Sequence, residues 1–331
     1  MKKLTYYQVF VRNYSEEGTF KALESDLERI ADLKIDVLYL MPIHEIGVDG
    51  RKGILGSPYS IRDYFSINHE YGTLEDLKSL INKTHKLGMK IILDMVFNHT
   101  SRDSILIDQH PEFYYYKDGK LANRVGDWSD ITDLDTFRED TQEYLLNVLE
   151  YYVNLGIDGF RFDVASLLPL ELFKKIREKF GNNLLILAES IDPGFVRYLN
   201  EIGQPVISDE DLSQYCNALY NYNWFRDFEA YLRNEKSLDD VKNIIANDSI
   251  NRINCLENHD TERFLSYNLD KKACKSLIKW AFELKGDNFI YMGQEYGLTH
   301  RPSLFDKDPI TWQEQNLDYL ELYKTLILNS K

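Results

Sequence analysis

The chain has 331 residues, 44% hydrophobic and 28% charged, a globular composition long enough to bury a large core. Its net charge of −15 argues against nucleic acid and anionic membrane as partners, because both demand a basic face. Cys216, Cys255 and Cys274 include no CxxC pair, so neither a disulfide framework nor a zinc site is expected, and no apolar run is long enough to span a membrane. The opening MKKLTYYQVF lacks the apolar stretch of a secretory leader. A cytoplasmic location is expected, or a secreted one if a leader has been removed.

Strand-like and helix-like segments alternate from the start. A strand is expected over 6–11, then a helix over 19–33, where Phe20, Leu23, Leu27, Ile30 and Leu33 recur at helical spacing. VLYLMP (37–42) is a second strand, and 74–87 is a helix ended by Gly88. KIILDMVF (90–97) is a third, with the near-continuous apolar run of a strand buried on both faces. Residues 100–135 break the rhythm with clustered aromatics, among them Trp128, and a turn at Asp118-Gly119; they are expected to form a small inserted subdomain. A helix over 136–155 precedes the fourth strand, GFRFD (159–163). A helix over 170–180 precedes the fifth, LLILAES (184–190). A sixth strand near 216–220 lies between helices near 192–202 and 224–234, and RINCLENHD (252–260) carries the seventh. A helix over 271–285, an eighth strand in NFIYMG (288–293) and a helix near 315–329 complete the chain. Eight β/α units with no GxGxxG or P-loop predict a (β/α)8 TIM barrel formed by 1–99 and 136–331, with 100–135 inserted after the third strand.

Several of these strands end in groups that are costly to bury. The third carries Asp94 and runs into Asn98-His99; the fourth carries Arg161 and Asp163; the fifth ends in Glu189; the seventh ends in Glu257-Asn258-His259-Asp260. Side chains two apart on a strand share a face, so Arg161 and Asp163 point the same way. A single such pair is more often a structural ion pair. Carboxylates, histidines and an arginine at the ends of strands on one rim of a barrel instead indicate a reaction centre, because barrel active sites lie at the C-terminal ends of the strands. Asp163 and Glu189 lie 26 residues apart, one strand-helix-strand unit, so they should end neighbouring strands. Carboxyls so placed can stand about 5–5.5 Å apart, the separation of a nucleophile and a general acid in retaining glycosidases. Burial and repulsion would then raise the acid while Arg161 keeps Asp163 ionised.

DMVFNH (94–99), GFRFD (159–163), the Glu189 strand and ENHD (257–260) resemble, in order, the four short motifs of the α-amylase family of glycoside hydrolases. YYQVFVRNYSEEGTF, LYLMPI, GSPYSIRDY, DLD (133–135) and YMGQEYG add to a resemblance that covers essentially the whole chain. It implies that Asp163 is the nucleophile, Glu189 the acid and then base, and Asp260 a third carboxylate gripping sugar hydroxyls. It implies further that Arg161 orients Asp163, that His99 and His259 bond the sugar, that Tyr59 stacks on it, and that Asp63 supports the pocket, with Asp94 as a brace. No organic cofactor is implied. A structural calcium using Asn98 is a possibility that the resemblance raises. Ser166 and Leu167 stand where many members carry Lys-His, a departure on the acceptor side. The family's usual C-terminal β-sandwich is not represented, which reads as truncation or a minimal enzyme. The expected function is retaining hydrolysis of α-glucosidic bonds in starch-like or malto-oligosaccharide substrates. The alternatives are a 4-α-glucanotransferase or α-1,6-glucosidase of the same family and, against intact carboxylates, a non-catalytic relative. Oligomeric state is not readable.

Overall fold

The computed structural model describes residues 3–126, 128–267, 269–313 and 315–331. Eight parallel strands close into a barrel: β1 (Thr5–Val9), β2 (Val37–Leu40), β3 (Lys90–Met95), β4 (Gly159–Phe162), β5 (Leu185–Ala188), β6 (Ala218–Tyr220), β7 (Arg252–Asn254) and β8 (Asp287–Tyr291). Each pairs with its chain neighbours, and β1 pairs with β8 to close the ring. Helices such as Leu74–Lys86, Glu139–Asn154, Leu170–Phe180 and Lys271–Glu283 pack outside. All eight expected strands are present, mostly shorter than the apolar runs that announced them. No helix among the described residues is long and apolar enough to cross a membrane.

Alternation along the strands sorts the side chains. On β4, Phe162 packs edge-on against Phe173 of helix Leu170–Phe180, with ring centroids 5.3 Å apart. Arg161 therefore points inward. There it joins Tyr39 of β2, Tyr220 of β6 and Phe289 of β8, one residue from each even-numbered strand, as TIM-barrel layers are built. Tyr39 and Tyr220 lie 6.3 and 6.0 Å from Phe289, and the Arg161 guanidinium lies 5.4 Å from Tyr220. The arginine fills a place in a packed core layer.

Three local features depart from the sequence expectation. The helix over 19–33 is two, Phe20–Ser25 and Leu27–Asp32, broken at Asp26, whose carboxylate is drawn off by Tyr14 and Arg29. The connection after β2 contains an unexpected antiparallel hairpin, His44–Ile46 with Ile61–Ile67. Helix Leu238–Ala246, closed by a Ser237/Asp240 capping box, was also not expected. Within 100–135, His99–Ser101 pairs with Ile131–Asp133, and Tyr116–Lys117 pairs with Lys120–Leu121 across Asp118-Gly119, both at positive φ as a tight hairpin turn requires.

Candidate active site

Register brings the polar strand ends together. Arg161 lies opposite Asp94 on β3, and Phe162 opposite Ala188 on β5, so Asp163 and Glu189 follow side by side. Arg161 Nη1 donates to Asp94 Oδ1 and Asp163 Oδ1, each at 2.8 Å, and Nη2 lies 2.9 Å from Glu189 Oε1. The last contact is out of hydrogen-bond line; among the described residues Nη2 and Nε have no hydrogen-bond partner. One buried cation thus serves three buried carboxyls.

Burial pushes all three carboxyls upward, and Arg161 opposes it in each. Glu189 reaches about 8, with Asp163 and Asp260 adding to the rise. Asp163 accepts a hydrogen bond from the guanidinium, which favours its anion. Glu189 Oε2 also accepts from the backbone N–H of Val164 at 2.7 Å. Val164 adopts left-handed φ +38°, ψ 47°, which a β-branched residue avoids at a cost of about 1–3 kcal/mol.

A second chain of hydrogen bonds braces the opposite wall. Asp94 Oδ2 accepts from Tyr39 (2.7 Å) and Tyr59 (2.9 Å), Tyr59 meets His259 Nε2 at 2.6 Å, and His259 Nδ1 meets Gln8 Nε2 at 2.9 Å. Burial lowers His259, which is neutral at pH 7. The network is then satisfied in one direction, Gln8 to His259 to Tyr59 to Asp94, a tautomer assigned from these partners. Tyr59 is stacked on His259, ring centroids 5.3 Å apart and 13° between planes. Asp260 Oδ2 lies 3.1 Å from His259 Nε2, and its side chain is 44% exposed, open to the cavity. His99 is buried beside Asn98, bonds the backbone of Tyr59, and lies 6.4 Å from Trp128, ring to ring. A cavity of about 330 Å³ opens between Glu189 and Asp260, walled by Phe195, Tyr222, Phe225 and Arg226.

Of the sequence-predicted residues, Asp163, Glu189, Asp260, Arg161, Tyr59, His99 and His259 converge here. Asp63 does not. It sits in the hairpin strand Ile61–Ile67, where its carboxylate accepts from Phe65 N and Ser66 Oγ, with His44, Tyr144 and Tyr152 as electrostatic neighbours. Its carboxylate is held within the hairpin, so closeness in sequence to Tyr59 did not carry Asp63 to the pocket. Ser166 and Leu167 are buried, and Leu167 packs with Val125 and Leu199. Gln8, Tyr39 and Tyr220 were missed. Gln8 in YYQVF carried the signal that singled out Arg161, a polar residue within an apolar strand.

The calcium possibility meets a poor donor set. Asn98 turns its amide Nδ2 toward Asp133 Oδ1 at 3.5 Å, and the other neighbours are Leu167, Val125, Phe137, Pro205, Gln204 and the cationic Arg124. Arg124 N donates to Asp133 Oδ2, Nη1 to Leu134 O and Nη2 to Asp135 Oδ1, at 2.7, 2.7 and 2.8 Å. Calcium takes six to eight oxygens. Among the described residues no group of three or more metal-ligating side chains is found, and Arg124 already holds these acceptors, Asp133 through its backbone N–H and the other two through its guanidinium. The residues do not fit the ion.

Comparison with known proteins gives the same family that the strand ends suggested. The family model for the α-amylase catalytic domain matches residues 6–124 and 214–323. A crystal structure of an α-amylase from Lactobacillus plantarum is 40% identical with a TM-score of 0.94, over 99% of this chain and 79% of that one. The noncanonic maltogenic α-amylase AmyB from Thermotoga neapolitana is 30% identical with a TM-score of 0.87, over 99% of this chain and 76% of that one. Alpha-amylase 3 of Dictyoglomus thermophilum is 26% identical over 97% of this chain and 70% of its own length. With barrel, buried strand ends and relatives in agreement, the chain belongs to the α-amylase family of glycoside hydrolases, enzymes that hydrolyse α-glucosidic bonds.

Proposed function

We propose that the chain cleaves malto-oligosaccharides or starch-like α-glucans with retention, by double displacement. Asp163 attacks the anomeric carbon, while Glu189 gives its proton to the leaving oxygen. Glu189, now ionised, takes a proton from water, which attacks the anomeric carbon and breaks the glycosyl ester, freeing Asp163. Asp260 grips hydroxyls, His99 and His259 bond the same sugar, and Tyr59, stacked on His259, borders it. Residues 100–135 act as a subdomain walling the site. The observation that carries the reading is the single Arg161 guanidinium, which donates to Asp163 Oδ1 at 2.8 Å and lies 2.9 Å from Glu189 Oε1, holding both carboxyls at one point on adjacent strand ends. An inverting pair needs about 6.5–9.5 Å to seat a water between its carboxyls. The α-amylase names of the Lactobacillus plantarum and Thermotoga neapolitana structures support the substrate class.

Incubation with maltoheptaose, beside Asp163→Asn, tests this. Shorter products of retained anomeric configuration are expected, with turnover by the variant reduced at least about 10⁴-fold and its fold intact. Near-normal activity in that variant would remove the nucleophile assignment. Products longer than the substrate would move the reading to a glucanotransferase.

A further inference from the structure

We propose that Trp128, on the inserted segment, is the specificity-determining platform for the second sugar on the donor side, the unit after the one bonded to Asp163. The inference rests on the functional reading above, which sets the direction of the substrate. Glu189 protonates the leaving oxygen, so the leaving group lies in the cavity on its side, toward Phe195 and Tyr222. The donor chain runs the other way, over Tyr59 and past His99. Beside His99 stands the Trp128 ring, its centre 6.4 Å from that of His99 and tilted 36° to it.

Trp128 is 37% exposed, whereas Trp224 is buried and Trp280 and Trp312 are partly buried. A large ring left in water costs free energy unless something covers it. The surroundings hold the ring in place. Gly126, at φ +78°, lies so close under the indole that a Cβ there would come within 2.9 Å of it. Asn123 Nδ2 donates to Trp128 O at 3.1 Å. The following residues are clamped to the loop after β2: Lys52 Nζ lies 2.8 Å from Asp130 Oδ1, and Ser60 Oγ donates to Asp130 O at 2.8 Å. An exposed indole in a fixed pose, beside proposed sugar contacts, suits the apolar C–H face of a pyranose.

The test compares 4-nitrophenyl α-maltoside with 4-nitrophenyl α-glucoside, which share a leaving group and differ only in the second donor unit. Trp128→Ala should lower the ratio of kcat/KM for maltoside to that for glucoside about tenfold, and Trp128→Phe should restore most of it. An unchanged ratio would overturn the proposal, as would a ratio that falls in both variants alike. Failure of the functional reading would look different, since the wild type would then cleave neither substrate. In that case, maltotriose titrated into Asp163→Asn should quench indole fluorescence, and the quench should vanish when Trp128→Phe is added. A quench that survives in the double variant, or none at all, would overturn the platform itself.

Discussion

Glu189 is held protonated by burial to about pH 8, far above its ordinary 4.5. As a general acid it must carry that proton, so the alkaline limb of kcat/KM should fall as pH rises through about 8, and Glu189→Gln should remove that limb. The same shift costs stability. The unfolded chain releases this proton near 4.5 and the folded chain near 8, so the folded form binds the extra proton between them. Stability from this group is fully present below 4.5 and is lost as pH rises through 8. Glu189→Gln should therefore raise Tm more at pH 9 than at pH 4.5, by a few degrees, in a thermal scan. A gain equal at both pH values would mean that the carboxyl is not buried as described.

The pairing of β4 with β5 places Asp163 against Glu189, and its tightest point is Gly159. A Cβ there would lie 2.2 Å from Leu185 O and 2.6 Å from Leu185 Cβ. Both strands would have to part, at about 1–3 kcal/mol. Gly159→Ala should lower Tm and also lower kcat more than stability alone explains, because the carboxyls are shifted relative to each other. Full activity in the fraction that remains folded would show that the strand ends are set independently of the strand floor.

For the whole molecule, one question is what joins the inserted segment to the barrel. Arg124 bonds Leu134 O and Asp135, its guanidinium lies 4.7 Å from the Tyr115 ring, and its backbone holds Asp133, which pairs with His99 at the end of β3. Arg124→Ala should destabilise by about 1.5–3 kcal/mol and expose 100–135 to proteolysis. A chelator should leave the wild-type Tm within error. A large chelator shift, undone by calcium, would contradict the guanidinium as the cation at this junction.

The sequence by itself determined the kind of object and the chemistry at its rim. Period-two and period-3.6 apolar patterns need only local information, and they yielded eight strands in order with helices between them. Arg161, Asp163, Glu189, His259 and Asp260 were legible because ionisable groups at the ends of apolar runs are costly unless they serve a purpose. Only the tertiary structure decided which groups share partners. Arg161 fills a four-residue layer because ring closure stacks residues from alternate strands, a relation between segments far apart in the chain. Asp63 left the site because strand Ile61–Ile67 pairs with His44–Ile46 and its carboxylate is taken up there by Phe65 N and Ser66 Oγ. Gln8 entered it because β1 closes against β8 and its amide reaches His259, in the loop that follows β7. Proton affinities belong to the same class: Glu189 rises to about 8 because the folded barrel strips water from it, and sequence spacing carries no measure of that desolvation.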